Sequence, residues 1–202
     1  MKSALLLILL IGIGTLSCKP KESAIKPNDD VESLYQRFHG KYEIISSISS
    51  EPLDVNFDGV SSTNLFEEIR ELSNWTHLEL RIKYPDRSVF LFSQFWPEQY
   101  VYTYTGPNSE WNGWDTLSYN PRYQVAYAQQ ASPYSFSFSE DLSQIFVTPN
   151  EKANKIRWGK PELVIVEAED RLRLVNKRRI YTREGVKEVT ITTIYKRFTM
   201  IT

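Results

Sequence analysis

The feature that most constrains this chain is a period of two. Leu78, Leu80, Ile82 and Tyr84 alternate with Glu79, Arg81 and Lys83. An extended strand sends successive side chains to opposite faces, so this segment predicts a half-buried strand. Pro85-Asp86-Arg87 predicts a turn, with residues 88–95 returning as the partner strand. The pattern recurs downstream. Residues 100–104 and 123–129 read as strands, and Tyr134, Phe136 and Phe138 alternate with serines. Residues 143–147 continue the meander. Residues 163–168 and 171–176 predict a hairpin about Glu169-Asp170, and 180–182 with 189–198 another about Glu184-Gly185. Upstream, Asp29 or Asp30 caps a predicted helix over 31–38 that Gly40 stops. Residues 41–49 form the first predicted strand, and 65–72 a second short helix. Many short strands with regular turn signals predict a mainly β fold, an antiparallel barrel or sandwich. The alternation is too clean for a buried parallel sheet.

The N-terminus is of another kind. Lys2 precedes the apolar stretch Ala4 to Gly14, too short for the roughly 20 residues of a membrane span. One positive charge, a short apolar run and a small-residue site predict a secretory signal peptide over 1–17. Thr15-Leu16-Ser17-Cys18 resembles a bacterial lipobox, with Thr15 at a position where Leu is usual. That resemblance implies a lipoprotein lipidated at Cys18, with ordinary secretion as the alternative. Cys18 is the only cysteine, so no intrachain disulfide forms, and lipidation accounts for a lone exported thiol. Stable anchoring then takes more than one acyl chain, such as palmitate. Residues 18–30, polar and carrying Pro20 and Pro27, predict a tether. Residues 31–202 form the barrel domain. The expected location is the cell envelope, on the outer or inner membrane, facing periplasm or exterior.

Cleavage leaves about 185 residues, enough for one domain with its own core. Loss of Lys2 takes the formal charge from −1 to −2. No global field attracts nucleic acid, and that partner class is set aside. The charged strand faces also argue against a barrel that spans the membrane.

Phe38-His39-Gly40-Lys41-Tyr42-Glu43-Ile44 joins a helix to a Gly-x-aromatic strand opening, and the final strand ends on Ile194-Tyr195-Lys196-Arg197. Together with the loop running from Leu53 to Glu68, this resembles the lipocalin-like barrels of small Bacteroidota lipoproteins. The resemblance implies an antiparallel lipocalin-like β-barrel, with a short N-terminal helix and another after the first strand.

Asp54-x-Asn56-x-Asp58-Gly59 matches the first half of a calcium loop, where oxygens at positions 1, 3 and 5 converge on one hard cation. Val60 would lend its carbonyl. Position 12 is Leu65 in place of Glu, so Glu67 or Glu68 would have to close the site. The competing reading is an Asx-rich turn with Ser62, Thr63 or Asn64 capping the helix. Thr116, in Asp115-Thr116-Leu117, is a candidate O-glycosylation acceptor. Asn74-Trp75-Thr76 fits the N-glycosylation sequon. Glu98, Glu110 and Asp115 lie near Trp96, Trp111 and Trp114, a combination suited to sugars or to plugging a barrel end. Lys177-Arg178-Arg179 reads as a solvated turn, or as a contact for anionic headgroups.

With two histidines, no cysteine nucleophile, no Gly-x-Ser-x-Gly and no phosphate-cradling glycine run, the chain is expected not to be an enzyme. The expectation is a lipid-anchored binding module for a small apolar or amphipathic ligand. Alternatives are an accessory envelope protein acting through protein contacts, and a carbohydrate-binding or carbohydrate-processing protein.

Overall fold

The computed structural model describes residues 31–74, 76–82, 90–103, 110–131, 133–149 and 159–202. The signal segment, Cys18 and the tether lie outside these residues, as does the turn at 85–87. Helix α1 (Val31–Phe38) leads into β1 (Gly40–Leu53), the short β2 (Ser62–Asn64) and α2 (Leu65–Glu68). A 3-10 turn (Arg70–Ser73) precedes β3 (His77–Arg81) and β4 (Leu91–Tyr102). Then follow β5 (Gln124–Gln130), β6 (Tyr134–Phe138), β7 (Ile145–Thr148), β8 (Leu163–Ala168), β9 (Arg171–Thr182) and β10 (Gly185–Thr199).

The sheet order is β7-β6-β4-β3-β1-β10-β9-β8, antiparallel throughout, with β2 on β1 and β5 on β4. β5 and β6 share one register: Leu91 pairs with Ser135 and Trp96 with Gln130. They are therefore one strand, interrupted around Ala131 and Pro133, where proline has no N–H for the ladder. Counted so, eight strands among the described residues run up and down in chain order. β1 pairs with β10. A bridge between Gln144 and Ile165, with Val166 N–H donating to Ser143 O at 2.8 Å, draws β7 to β8. The sheet is nearly closed into a barrel, and the expected mainly β, antiparallel barrel with two short helices is observed.

Several boundaries differ from the expectation. β4 absorbs the two strands expected at 88–95 and 100–104. Pro97 lies just beyond Phe95, the last residue that β4 pairs with β3, so no donor is required of it on that edge. β9 runs through Lys177-Arg178-Arg179 to Thr182, so the basic run is a strand and not a turn. The second helix is shorter than 65–72, ending at Glu68 and continuing as the 3-10 turn.

The two ends of the barrel differ. The start of β1 and the end of β10 meet beneath α1. Phe38 is fully buried there, its ring 4.7 Å from that of Phe138. The Tyr42 hydroxyl donates to Phe38 O at 2.7 Å, and Arg197 Nη1 donates to Arg37 O at 2.8 Å, closing the helix C-terminus. Phe92, Leu78, Leu80, Phe136, Leu172 and Leu174 complete this floor. The opposite end carries the Asp54 loop, the 110–123 segment and the β9–β10 hairpin. In that hairpin Gly185 has φ +95°, and an added Cβ would lie 2.8 Å from Leu117 O. Only a residue without a side chain fits both demands.

Candidate functional site

Between floor and mouth, the inward faces of β1, β4, β9 and β10 carry polar groups. Gln94 Nε2 donates to Asn176 Oδ1 at 3.1 Å and to the Tyr195 hydroxyl at 3.0 Å, and Asn176 Nδ2 returns a bond to Gln94 Oε1 at 3.2 Å. Ser47 and Thr193 share a hydroxyl contact at 3.1 Å. Enclosure holds the Tyr195 phenol neutral and pushes its pKa up to about 12. This belt meets the rule that buried polar groups need partners.

Above it lie Trp96 and Arg178. The guanidinium stacks 4.6 Å from the Trp96 ring centre, and its Nη1 donates to Glu98 Oε1 at 2.6 Å. Both side chains of this ion pair are about nine-tenths buried, at 10% and 11% exposure. Further along β4, Gln99 brackets β9 as a neighbouring strand would. Tyr181 N–H donates to Gln99 Oε1 at 2.7 Å, and Gln99 Nε2 donates to Tyr181 O at 3.0 Å. β8 makes its last pair with β9 at Val175, so this bracket holds β9 where β8 no longer does.

A cavity of about 210 Å³ opens here. Trp96, Trp111, Trp114 and Tyr127 supply its aromatic lining; Glu98, Lys177, Arg178, Arg179 and Glu188 supply its charges. Four consecutive residues of β9, 177–180, touch it. Since successive strand residues face opposite ways, the cavity follows the edge of β9 rather than one face. The 110–115 segment is shaped for presenting its tryptophans. Asn112 Oδ1 accepts from the N–H groups of Trp114 and Asp115 at 2.8 and 3.1 Å, an Asx turn, and Gly113 takes φ +83°. Trp111 is buried, its Nε1 donating to Asp115 O at 2.9 Å, while Trp114 stands 53% exposed at the rim.

The structure thus brings Trp96, Glu98, Trp111 and Trp114 to one place. Asp115 instead holds Asn112 Nδ2 at 2.7 Å, and Glu110 bridges to Tyr102. Thr116 is exposed in the same segment. Thr76, of the Asn74 sequon, is buried and donates to Leu72 O at 2.7 Å.

The Asp54 loop also sits at the mouth. Its oxygens serve its own backbone. Gly59 N–H donates to Asp54 Oδ2 at 3.0 Å, Asp58 N–H to Asn56 Oδ1 at 2.9 Å, and Val60 N–H to Asp58 Oδ1 at 2.7 Å. Glu68, buried, accepts from Val55 N–H at 2.8 Å. Glu67 points elsewhere, accepting from Ser62 Oγ at 2.6 Å and Asn64 Nδ2 at 3.0 Å; these bonds lower its pKa. Asn64 caps α2. Val60 is exposed, and Asp54 Oδ1 is buried without a hydrogen-bond partner. No group of three or more His, Cys, Asp or Glu placed to hold a metal occurs among the described residues. The arrangement is that of an Asx-rich turn. It turns Phe57 (φ +64°) onto Tyr119 and Tyr181, both ring separations being 5.8 Å.

Gln99 is not singled out by sequence, and Arg178 is read only within the basic run Lys177-Arg178-Arg179, as a solvated turn or a headgroup contact. A signal existed: Leu172, Leu174, Asn176 and Arg178 share one parity of β9, so its inward face turns from apolar to polar along the strand. No family model matches the chain, nor does any curated protein or solved structure.

Proposed function

We propose that this protein is a lipid-anchored envelope barrel whose mouth binds a small amphipathic ligand. One observation carries the binding part: the half-open cavity that combines three tryptophans and a tyrosine with an enclosed ion pair. Ligand sites are typically concave and mostly apolar, with a few fixed polar groups. At about 210 Å³ the cavity is smaller than the roughly 300–1,000 Å³ of pockets that enclose drug-sized molecules. It suits a ring or a head group, with any longer tail left outside. Trp114 gives a platform for stacking, and Trp111, buried beside it, makes the aromatic surface a pocket wall rather than a broad exposed patch.

Calorimetry with naphthol, a neutral ring with one hydroxyl, tests the binding part. Saturable binding is expected, weakened about threefold to tenfold in Trp114→Ala, the scale of one aromatic pair. Unchanged binding in that variant would remove the mouth from consideration. The anchor rests on Lys2, the apolar run and Cys18. Mass spectrometry of the protein from membranes is expected to find a diacylated or triacylated N-terminal Cys18, and none in Cys18→Ser. An unmodified Cys18 would overturn it.

A further inference from the structure

We infer that the mouth selects an anion: a carboxylate or phosphate monoester on a small apolar body, held by the guanidinium groups of Arg178 and Arg179. This rests on the binding reading above and names its ligand class. A guanidinium has five N–H donors. Arg178 commits Nη1 to Glu98, while its Nε is buried without a hydrogen-bond partner. Arg179, the next residue on the cavity wall, has a buried Nε in the same condition. Two enclosed, unsatisfied cationic donors on adjacent lining residues are costly to leave unmade, and a two-oxygen anion supplies acceptors that suit a guanidinium fork. The lining charges sum in the same direction: Lys177, Arg178 and Arg179 against Glu98 and Glu188.

The acids set the threshold. Glu98 already occupies one arm of Arg178, and Glu188 lies across the ladder from Arg179. An incoming anion adds to these pairs or displaces them, so Glu98 acts as a built-in competitor. A neutral ligand offers the guanidinium groups at most an uncharged acceptor, and a cation meets three like charges. The apolar body would lie against Trp111, Trp114 and Tyr127.

The test compares naphthol, naphthoate and naphthyl phosphate by calorimetry at pH 7, one ring system bearing a neutral, a carboxylate or a phosphate group. Naphthoate or naphthyl phosphate is expected to bind at least about tenfold tighter than naphthol, the scale of one hydrogen bond to a charged group. The stronger of the two identifies the anion source. Arg179→Gln should reduce anion affinity about tenfold relative to naphthol. Glu98→Gln, which keeps size and an acceptor for Arg178, should strengthen anion binding about tenfold relative to naphthol. If naphthol matches both anions, or if neither variant shifts the anions, the anion inference is overturned while the binding reading stands. If none of the three probes binds, both are overturned.

Discussion

The floor and the mouth of this barrel are built from the same strands by different means. At the floor, Phe38, Tyr42, Phe92 and Leu172 interlock as an enclosed aromatic and aliphatic plug beneath α1. A few residues further along those strands, Gln94, Asn176 and Tyr195 replace them, and then Trp96, Glu98 and Arg178. Burial is comparable, but the forces are not. Apolar burial at the floor contributes roughly 25 cal/mol per Å² removed from water. An enclosed ion pair pays desolvation that its attraction offsets only in part. A fold selected for stability alone has no need of Arg178 where a Leu would pack. The difference teaches that one end secures the barrel by apolar packing, while the other encloses charged groups that packing alone does not require.

The largest expected effect breaks the floor. Phe38→Ala should cost about 4 kcal/mol in urea unfolding, within the 3–5 typical of a buried Phe. The Tyr42–Phe38 backbone bond would persist, so the loss reads packing. A cost below about 1 kcal/mol would show that α1 is not a structural plug. The mouth should respond differently. Arg178→Met takes the guanidinium partner from the enclosed Glu98 and should cost about 3 kcal/mol. Adding Glu98→Met should restore most of that, because removing a whole buried pair in favour of apolar groups is often neutral. If the double variant is as unstable as the single one, the pair is structural and the contrast between the two ends weakens.

The same contrast explains what could be read from the sequence. Where one face is apolar and the other polar, alternation exposes the strand, and 134–138 falls where expected; the apolar run at 163–168 and α1 over 31–38 also fall where expected. At the mouth the inward face is itself polar, so the period fades and boundaries go astray. Charge in sequence ordinarily signals solvent, so Arg178 reads as surface and the strand reads as ending at Asn176, whereas β9 runs on to Thr182. Residues 88–95 and 100–104 read as separate strands, but β4 continues past Phe95, where its pairing with β3 ends, and pairs with β5 from Trp96 onward. The grouping of Trp96, Glu98, Trp111 and Trp114 was legible as composition. Its geometry was not, because Arg178 reaches Glu98 across 80 residues of chain.

The smallest effect tests the belt that separates the two ends. Tyr195 is fully enclosed, and burial first of all, with the Gln94 amide and Arg178 acting in the opposite sense, raises its pKa to about 12. In the unfolded chain a tyrosine ionises near 10. The folded value is the higher one, so the stability tied to the neutral phenol is complete below pH 10. It is lost progressively as pH rises from 10 through 12. At pH 11 Tyr195 alone should account for about 1 kcal/mol of destabilisation relative to pH 9. Tyr195→Phe, which cannot ionise, should lower the baseline slightly by removing an acceptor from Gln94, yet show a shallower decline over that window. Urea midpoints at pH 9, 10 and 11 for both proteins provide the comparison. Parallel declines would mean that water reaches the phenol in the folded state. The belt would then be an extension of the mouth, not the seal beneath it.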